Sequence, residues 1–295
     1  MHANQPLRGV RQVIQAHPVT EGAGVTVYRS LGTPALKHLD PFLMLDHFAS
    51  DDPDDYIAGF PDHPHRGFVT LTTMLDGHME HRDSLGNVGD LRAGGAQWMK
   101  AASGVIHSEM PRQTDGLMRG FQLWINLPAA EKMSDPAYRE IAPAEIPAAT
   151  EAGAHVRVLA GEYAGVRGVL DDPHTGLVYL EARLAPGANF STPLPPPLNV
   201  FLYLFDGRLQ IDGHEVLRHT LVVFGAGQCV EATAGEEGAR FILVAGRPLG
   251  EPIVQHGPFV MNTREEIEQA FADYRAGRLV RSALGCGAPG NGARA

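Results

Sequence analysis

Several features that would steer the reading of a chain this long are scarce or missing. Cysteine is nearly absent: Cys229 and Cys286 are the 2 thiols among 295 residues, far apart, with the second in a Gly-rich stretch. Such a pair offers no disulfide framework and implies a reducing compartment, so a cytoplasmic location is expected. No two Lys or Arg residues are adjacent, and the formal net charge is -10. Without a basic stripe, direct nucleic-acid binding and docking on anionic membranes are both excluded. No apolar run is long enough to span a bilayer, and the start, Met1 to Pro6, lacks the basic and apolar regions of a signal peptide. Helical periodicity is scarce as well, being confined to one segment near the C-terminus.

What the chain has instead is strands. Hydrophobic residues make up 44% of it, and they recur in short runs punctuated by Gly, Pro, Asn and Asp. Gln12 to Leu31 reads as an entry hairpin about Glu21-Gly22-Ala23-Gly24. Phe68 to Leu75 and His78 to Arg82 flank the hairpin signal Asp76-Gly77. Gln97 to Lys100, Val105 to Met110 and Gly120 to Leu127 complete a first block. A Pro/Ala-rich stretch over 128–150 marks the boundary, after which Val156 to Ala160, Leu177 to Leu184, Asn199 to Leu204, Thr220 to Phe224 and Phe241 to Ala245 form a second block. The class is all-β, a sandwich or barrel in each half: 1–135, a linker over 136–153, and 154–295. Thr263 with Glu266 forms a capping box for a helix over 263–277, and Ser282 to Ala295 reads as a flexible tail.

Chemistry concentrates between Asp62 and Glu109. His63-Pro64-His65 and His107-Ser108-Glu109 are two pairs of ligand-type residues at a spacing of two, so each pair points to one face of a strand. The strands between them can bring both pairs together. Imidazole and carboxylate donors with no thiolate nearby suit iron, manganese, nickel or copper with vacant positions, and Glu109 is placed to act as a base. His78 and His81, three apart, do not share a strand face, so these and His38 read as surface residues or as residues behind the ligands. His47 is either core or pocket lining. The acidic run Asp51, Asp52, Asp54 and Asp55 reads as a solvated loop. Met44, Phe48, Met74 and Trp98 are candidates for the wall of a substrate pocket.

The sequence resembles the pirin family of bicupins. The resemblance is carried by Phe60-Pro61-Asp62-His63-Pro64-His65-Arg66-Gly67-Phe68, Gln97-Trp98-Met99, Gly104 to Pro111, Phe121 to Pro128 and, past the linker, Gly257 to Thr263. It implies two tandem jelly-roll cupin barrels, with one Fe(2+) per chain held by His63, His65, His107 and Glu109 in the first and none in the second. Manganese, nickel, copper or zinc are other divalent metals such a site accepts. It further implies quercetin 2,3-dioxygenase activity on a flavonol-like aromatic, with Glu109 catalytic, or else an iron-dependent redox sensor that docks a protein partner such as a transcriptional co-regulator or a metabolic enzyme. A carbohydrate isomerase or storage cupin is disfavoured because the match runs beyond the ligands. Val69 stands where relatives commonly carry Glu, which would remove a polar neighbour from the site.

Overall fold

A computed structural model describes residues 6–281; the tail read from Ser282 onward, with Cys286, lies outside the described residues. The described chain is built from antiparallel strands in two tandem cupin barrels. In the first, a seven-stranded sheet runs in the order Ala137–Ile141, Ala96–Lys100, Phe68–Asp76, Met118–Asn126, Phe42–Ser50, Val25–Leu31, His17–Glu21. It faces a four-stranded sheet ordered Phe60–His65, Val105–Pro111, His78–Asp83, Val88–Arg92. The second barrel wraps a nine-stranded sheet about itself. Its two long strands, Asn199–Ile211 and Cys229–Gly246, pair with each other through two register shifts, and such bulges supply the bend that closure requires.

Alternation in the strand Phe68–Asp76 explains where the cores lie. Val69 and Leu71 belong to an apolar cluster shared by both barrels, which also contains Phe121, Ile125, Tyr179, Phe201 and Ile242. Thr70 and Thr72 point the other way, into the first barrel. The interface is therefore core-like. At its edge, His47 is fully buried, stacked on Phe121 with ring centroids 4.7 Å apart, and its Nδ1 lies 3.4 Å from the Tyr203 hydroxyl. His219 of the second barrel sits 5.3 Å from the His47 ring. His47 thus lies in the interface core and not at the cavity.

The two ends of the chain cross over. Val10–Gln15 does not join the hairpin expected over Gln12 to Leu31 but pairs with Thr220–Phe224 in the second barrel's sheet, while His17–Glu21 pairs with Val25–Leu31. Arg8 anchors this crossing, its guanidinium donating to the carbonyls of Pro195, Pro196, Leu198 and Gly225. In return, Val254–His256, Phe259–Met261 and the helix Arg264–Arg275 pack on the first barrel, next to the His-x-His strand. The helix is capped by Thr263 and Glu266 and ends at Gly277, which adopts a positive φ. Residues 136–153 carry one strand of each sheet, Ala137–Ile141 beside Ala96–Lys100 and Ala148–Glu151 beside Ala154–Ala160.

Among the described residues, no helix is long and apolar enough to cross a membrane.

Candidate metal centre

The four-stranded sheet places six ligand-type side chains on its inner face. In register, His63 lies opposite His107, and His107 opposite Asp83; one step along, Glu109 lies opposite His81. His65 is two residues from His63 and shares its face. Gly67 makes the sharp exit from this strand possible. Its φ is +92°, and a Cβ there would come within 1.9 Å of the Val260 carbonyl oxygen, so only glycine fits.

His63, His65 and His107 bring three ring nitrogens within 4.8 Å of one another. The Nδ1–H of His63 donates to the Pro61 carbonyl at 2.8 Å, which leaves Nε2 with its lone pair. His65 Nδ1 and His107 Nε2 are buried with no hydrogen-bond partner. Buried polar atoms are rarely left unsatisfied. Burial, followed by the neighbouring imidazoles, pushes both rings well below the ordinary histidine pKa, so they are neutral and able to ligate. The arrangement fits a first-row divalent cation.

Glu109 is buried and completes a second trio with His81 and His107. Its carboxylate is turned toward the facing sheet. Gln97 Nε2 donates to Oε1, Gln122 Nε2 donates to Oε2 at 3.0 Å, and the Thr72 hydroxyl lies 3.2 Å from Oε1. Gln97, Thr72 and Gln122 are successive cross-strand neighbours, and the row continues through Asp46 to Arg29. Arg29 grips Asp46 through two bonds of 2.7 and 2.6 Å and also reaches Glu21 at 2.7 Å. Burial raises the Asp46 carboxyl above its ordinary pKa even against the pull of Arg29.

A cavity of about 660 Å³ opens onto His63, His65 and Glu109, a size suited to a small-molecule ligand. Its apolar wall is Val27, Met44, Phe48, Phe60, Met79 and Trp124; Arg29, Asp46 and Glu21 form a charged wall, and Gly257 and Pro258 reach in from the crossing C-terminal segment. Of the expected pocket residues, Met44 and Phe48 are therefore on the wall. Met74 is not: it is buried beneath the floor in an apolar cluster with Phe48, Met79 and Leu91. Trp98 is not either, because strand alternation turns it to the outer face, against the inter-barrel core. Val69 faces that same core, so the absence of Glu there does not strip a polar group from the cavity.

His81 takes the second of its two sequence readings, a residue behind the candidate ligand His107. It is 1% exposed, so it is no surface residue, and it lies against His107 with Nδ1 atoms 3.3 Å apart. His38, half-buried, hydrogen-bonds Gln255 at 3.1 Å, outside the cluster. The signal for His81 was present as a third pair of spacing two, His81-Arg82-Asp83, overlooked in favour of its spacing to His78. Trp124 and the polar row were also missed. Trp124 lies two residues from Gln122 on one strand face, with its ring 5.1 Å from that of His65.

Two tandem double-sheet barrels, the first enclosing an imidazole-lined cavity, define a bicupin. Residues 24–125 match the Pirin family and residues 179–280 the Pirin C-terminal cupin domain. A candidate quercetin 2,3-dioxygenase of Pseudomonas aeruginosa is 48% identical over 280 residues, covering 92% of this chain and 98% of the relative. Human pirin is 42% identical over 262 residues, covering 87% of this chain and 88% of its own. A crystal structure of quercetin 2,3-dioxygenase from Acinetobacter baumannii superposes with a TM-score of 0.86 at 32% identity, over 92% of this chain and 98% of that one. The chain belongs to the pirin family.

Proposed function

We propose that this protein is a metal-dependent dioxygenase of the quercetin 2,3-dioxygenase type, opening a flavonol or a related enol- or catechol-like ring with dioxygen. The observation that carries the reading is the clustering of the His63, His65 and His107 imidazoles beside a cavity of about 660 Å³ that His63, His65 and the buried Glu109 line. His63, His65, His107 and Glu109 would hold the ion, one per chain, iron(II) by family resemblance, with manganese, nickel, copper or zinc as alternatives. When bound, a redox-active cation supplies positive charge beside a substrate hydroxyl and vacant positions for dioxygen activation. The site belongs to the half 1–135, joined through 136–153 to a metal-free half 154–295, and a cytoplasmic location is part of this reading.

The remaining work falls to the chain's own side chains. Met44, Phe48 and Trp124 hold a flat aromatic ring and exclude water. The Gln97 and Gln122 amides fix both Glu109 oxygens, so its remaining lone pairs are aimed to accept a proton from a substrate hydroxyl.

The test is anaerobic reconstitution with each divalent metal, followed by oxygen uptake over a panel of flavonols and catechols. Uptake with flavonol consumption and carbon monoxide release is expected, and His63→Ala should abolish it. If no panel member is consumed and His63→Ala matches the unaltered protein, the catalytic reading fails. The alternative would then gain: an iron-dependent redox sensor that docks a protein partner.

A further inference from the structure

We propose that Asp83 and His81 are positioning residues that set the tautomer of His107, so that His107 presents a bare Nε2 to the cation. The inference rests on the reading of His107 as a ligand. It follows from a chain of three buried groups. The Asp83 side chain is 0% exposed and that of His81 1%. Asp83 Oδ2 lies 3.4 Å from His81 Nε2. A carboxylate only accepts, so Nε2 of His81 carries a proton, and we take the ring as the neutral tautomer, in which Nδ1 is bare. His81 Nδ1 is 3.3 Å from His107 Nδ1. Two bare nitrogens cannot bond, so His107 Nδ1 carries the hydrogen and donates it. Only Nε2 of His107 is then left with a lone pair, and this is the buried atom without a partner.

The supports of the chain are rigid. Asp83 Oδ1 accepts the backbone N–H groups of Leu85 at 2.9 Å and Asn87 at 3.0 Å, and Oδ2 also accepts Asn87 Nδ2 at 2.8 Å. The carboxylate is thereby locked by its own turn. Tyr138, from the facing sheet, stacks on the His81 ring at 4.5 Å and 15°, which fixes the ring plane. Register places Asp83 directly opposite His107, so the carboxylate reaches the ligand through the histidine two residues before it. His81 also lies near Glu109, which makes direct ligation the competing role; its Nδ1 is instead engaged by His107.

Asp83→Asn is the sharpest probe, because an amide group facing His81 Nε2 can donate and reverse the polarity of the chain. His81→Phe keeps the stack on Tyr138 and the Asp83 turn while removing the acceptor. Cobalt(II) affinity of the apo-protein and the visible bands of the cobalt-loaded protein are the readouts, with apo-protein melting as the fold control. His81→Phe should melt like the unaltered protein, and Asp83→Asn, which loses the Oδ2 bond to Asn87, should melt lower but in one cooperative step; both should bind cobalt(II) roughly 10- to 100-fold more weakly and show shifted bands. His81→Asn, whose amide oxygen can stand in for Nδ1 as acceptor, should recover affinity relative to His81→Phe. Unchanged affinity and bands in Asp83→Asn and His81→Phe overturn the positioning role alone. Weakened affinity and shifted bands in His81→Phe with none in Asp83→Asn, and no recovery in His81→Asn, assign His81 to the ion itself and also overturn it. If the unaltered protein binds no cobalt(II), the metal centre falls, and this inference with it.

Discussion

At the residue scale, the most consequential bonds are those that hold Glu109. Gln122 donates to Oε2 at 3.0 Å and is a cross-strand neighbour of Asp46. Gln122→Leu removes the donor while keeping much of the side chain's bulk. The carboxylate is then free to turn, and substrate-dependent oxygen uptake should fall about 10- to 100-fold, with metal affinity lowered in parallel. A second prediction concerns pH. Burial, then Arg218, lowers His219 from 6.5 to about 4, and burial, with help from His219 and nearby arginines, pushes His47 down as well. Between these values the unfolded chain binds more protons than the folded one, so the contribution to stability is complete above about pH 6.5 and is lost as pH falls toward and through 4. Urea titrations from pH 7 to 4 should show this decline, and His219→Asn should flatten it. The shared face of His63 with His65 and of His107 with Glu109 was legible in the sequence because a spacing of two has one meaning on a strand. Asp83 was legible only as the second member of the pair His81-Arg82-Asp83; that it lies opposite His107 is set by register across the sheet, which nothing local specifies.

At the element scale, the seam between the His-x-His strand and the C-terminal segment is held by two buried cations. Arg66 donates to the Ser103 carbonyl at 2.6 Å and pairs with Asp273 of the helix at 2.9 Å. Lys132, 1% exposed, donates to the Gly67 carbonyl, Asn126 Oδ1 and the Val260 carbonyl at 2.7, 2.6 and 3.1 Å. Burial lowers its pKa to about 8. Lys132→Met strands three buried acceptors, and a loss of about 2–4 kcal/mol in denaturant unfolding is expected; little or no loss would show that the seam does not depend on this lysine. The helix itself was readable from its capping box, since caps are local. Its docking site was not, nor was the partner of Val10–Gln15. The hairpin about Glu21 to Gly24 formed from His17–Glu21 and Val25–Leu31, but Gln12 to Gln15 left it, because the apolar pattern of that strand satisfies any sheet edge of matching register, and the edge it meets is about two hundred residues away.

At the scale of the whole molecule, two barrels share one core. The cluster containing Leu31, Phe42 and Phe121 from the first also contains Tyr179, Phe201 and Val244 from the second, and each barrel holds an end of the chain that belongs by sequence order to the other. Domain interfaces that are small and polar permit independent unfolding; this one is apolar and cross-tied. Calorimetry of the apo-protein should therefore show one cooperative transition, and two resolved transitions would contradict the shared core. The all-β class and the division into two blocks were visible in the strand punctuation and the Pro/Ala-rich stretch, while the choice of barrels over sandwiches came from the family resemblance. The crossing of the ends was not, because exchange leaves composition and periodicity unchanged.

The crossing also orders events in time. Pro258 and Gly257 line the cavity, and the helix beyond them is tied to Arg66, next to His65. On the ribosome, the imidazoles emerge long before the segment that walls them in. The half made first is thus the half completed last, and a nascent chain halted at residue 250 would expose its histidines to the bulk solvent. Retention of the ion should then be tied to the synthesis of residues 257–279 and not to the appearance of the ligands. Release of cobalt(II) should accordingly be faster from a chain halted at 250 than from the full-length protein.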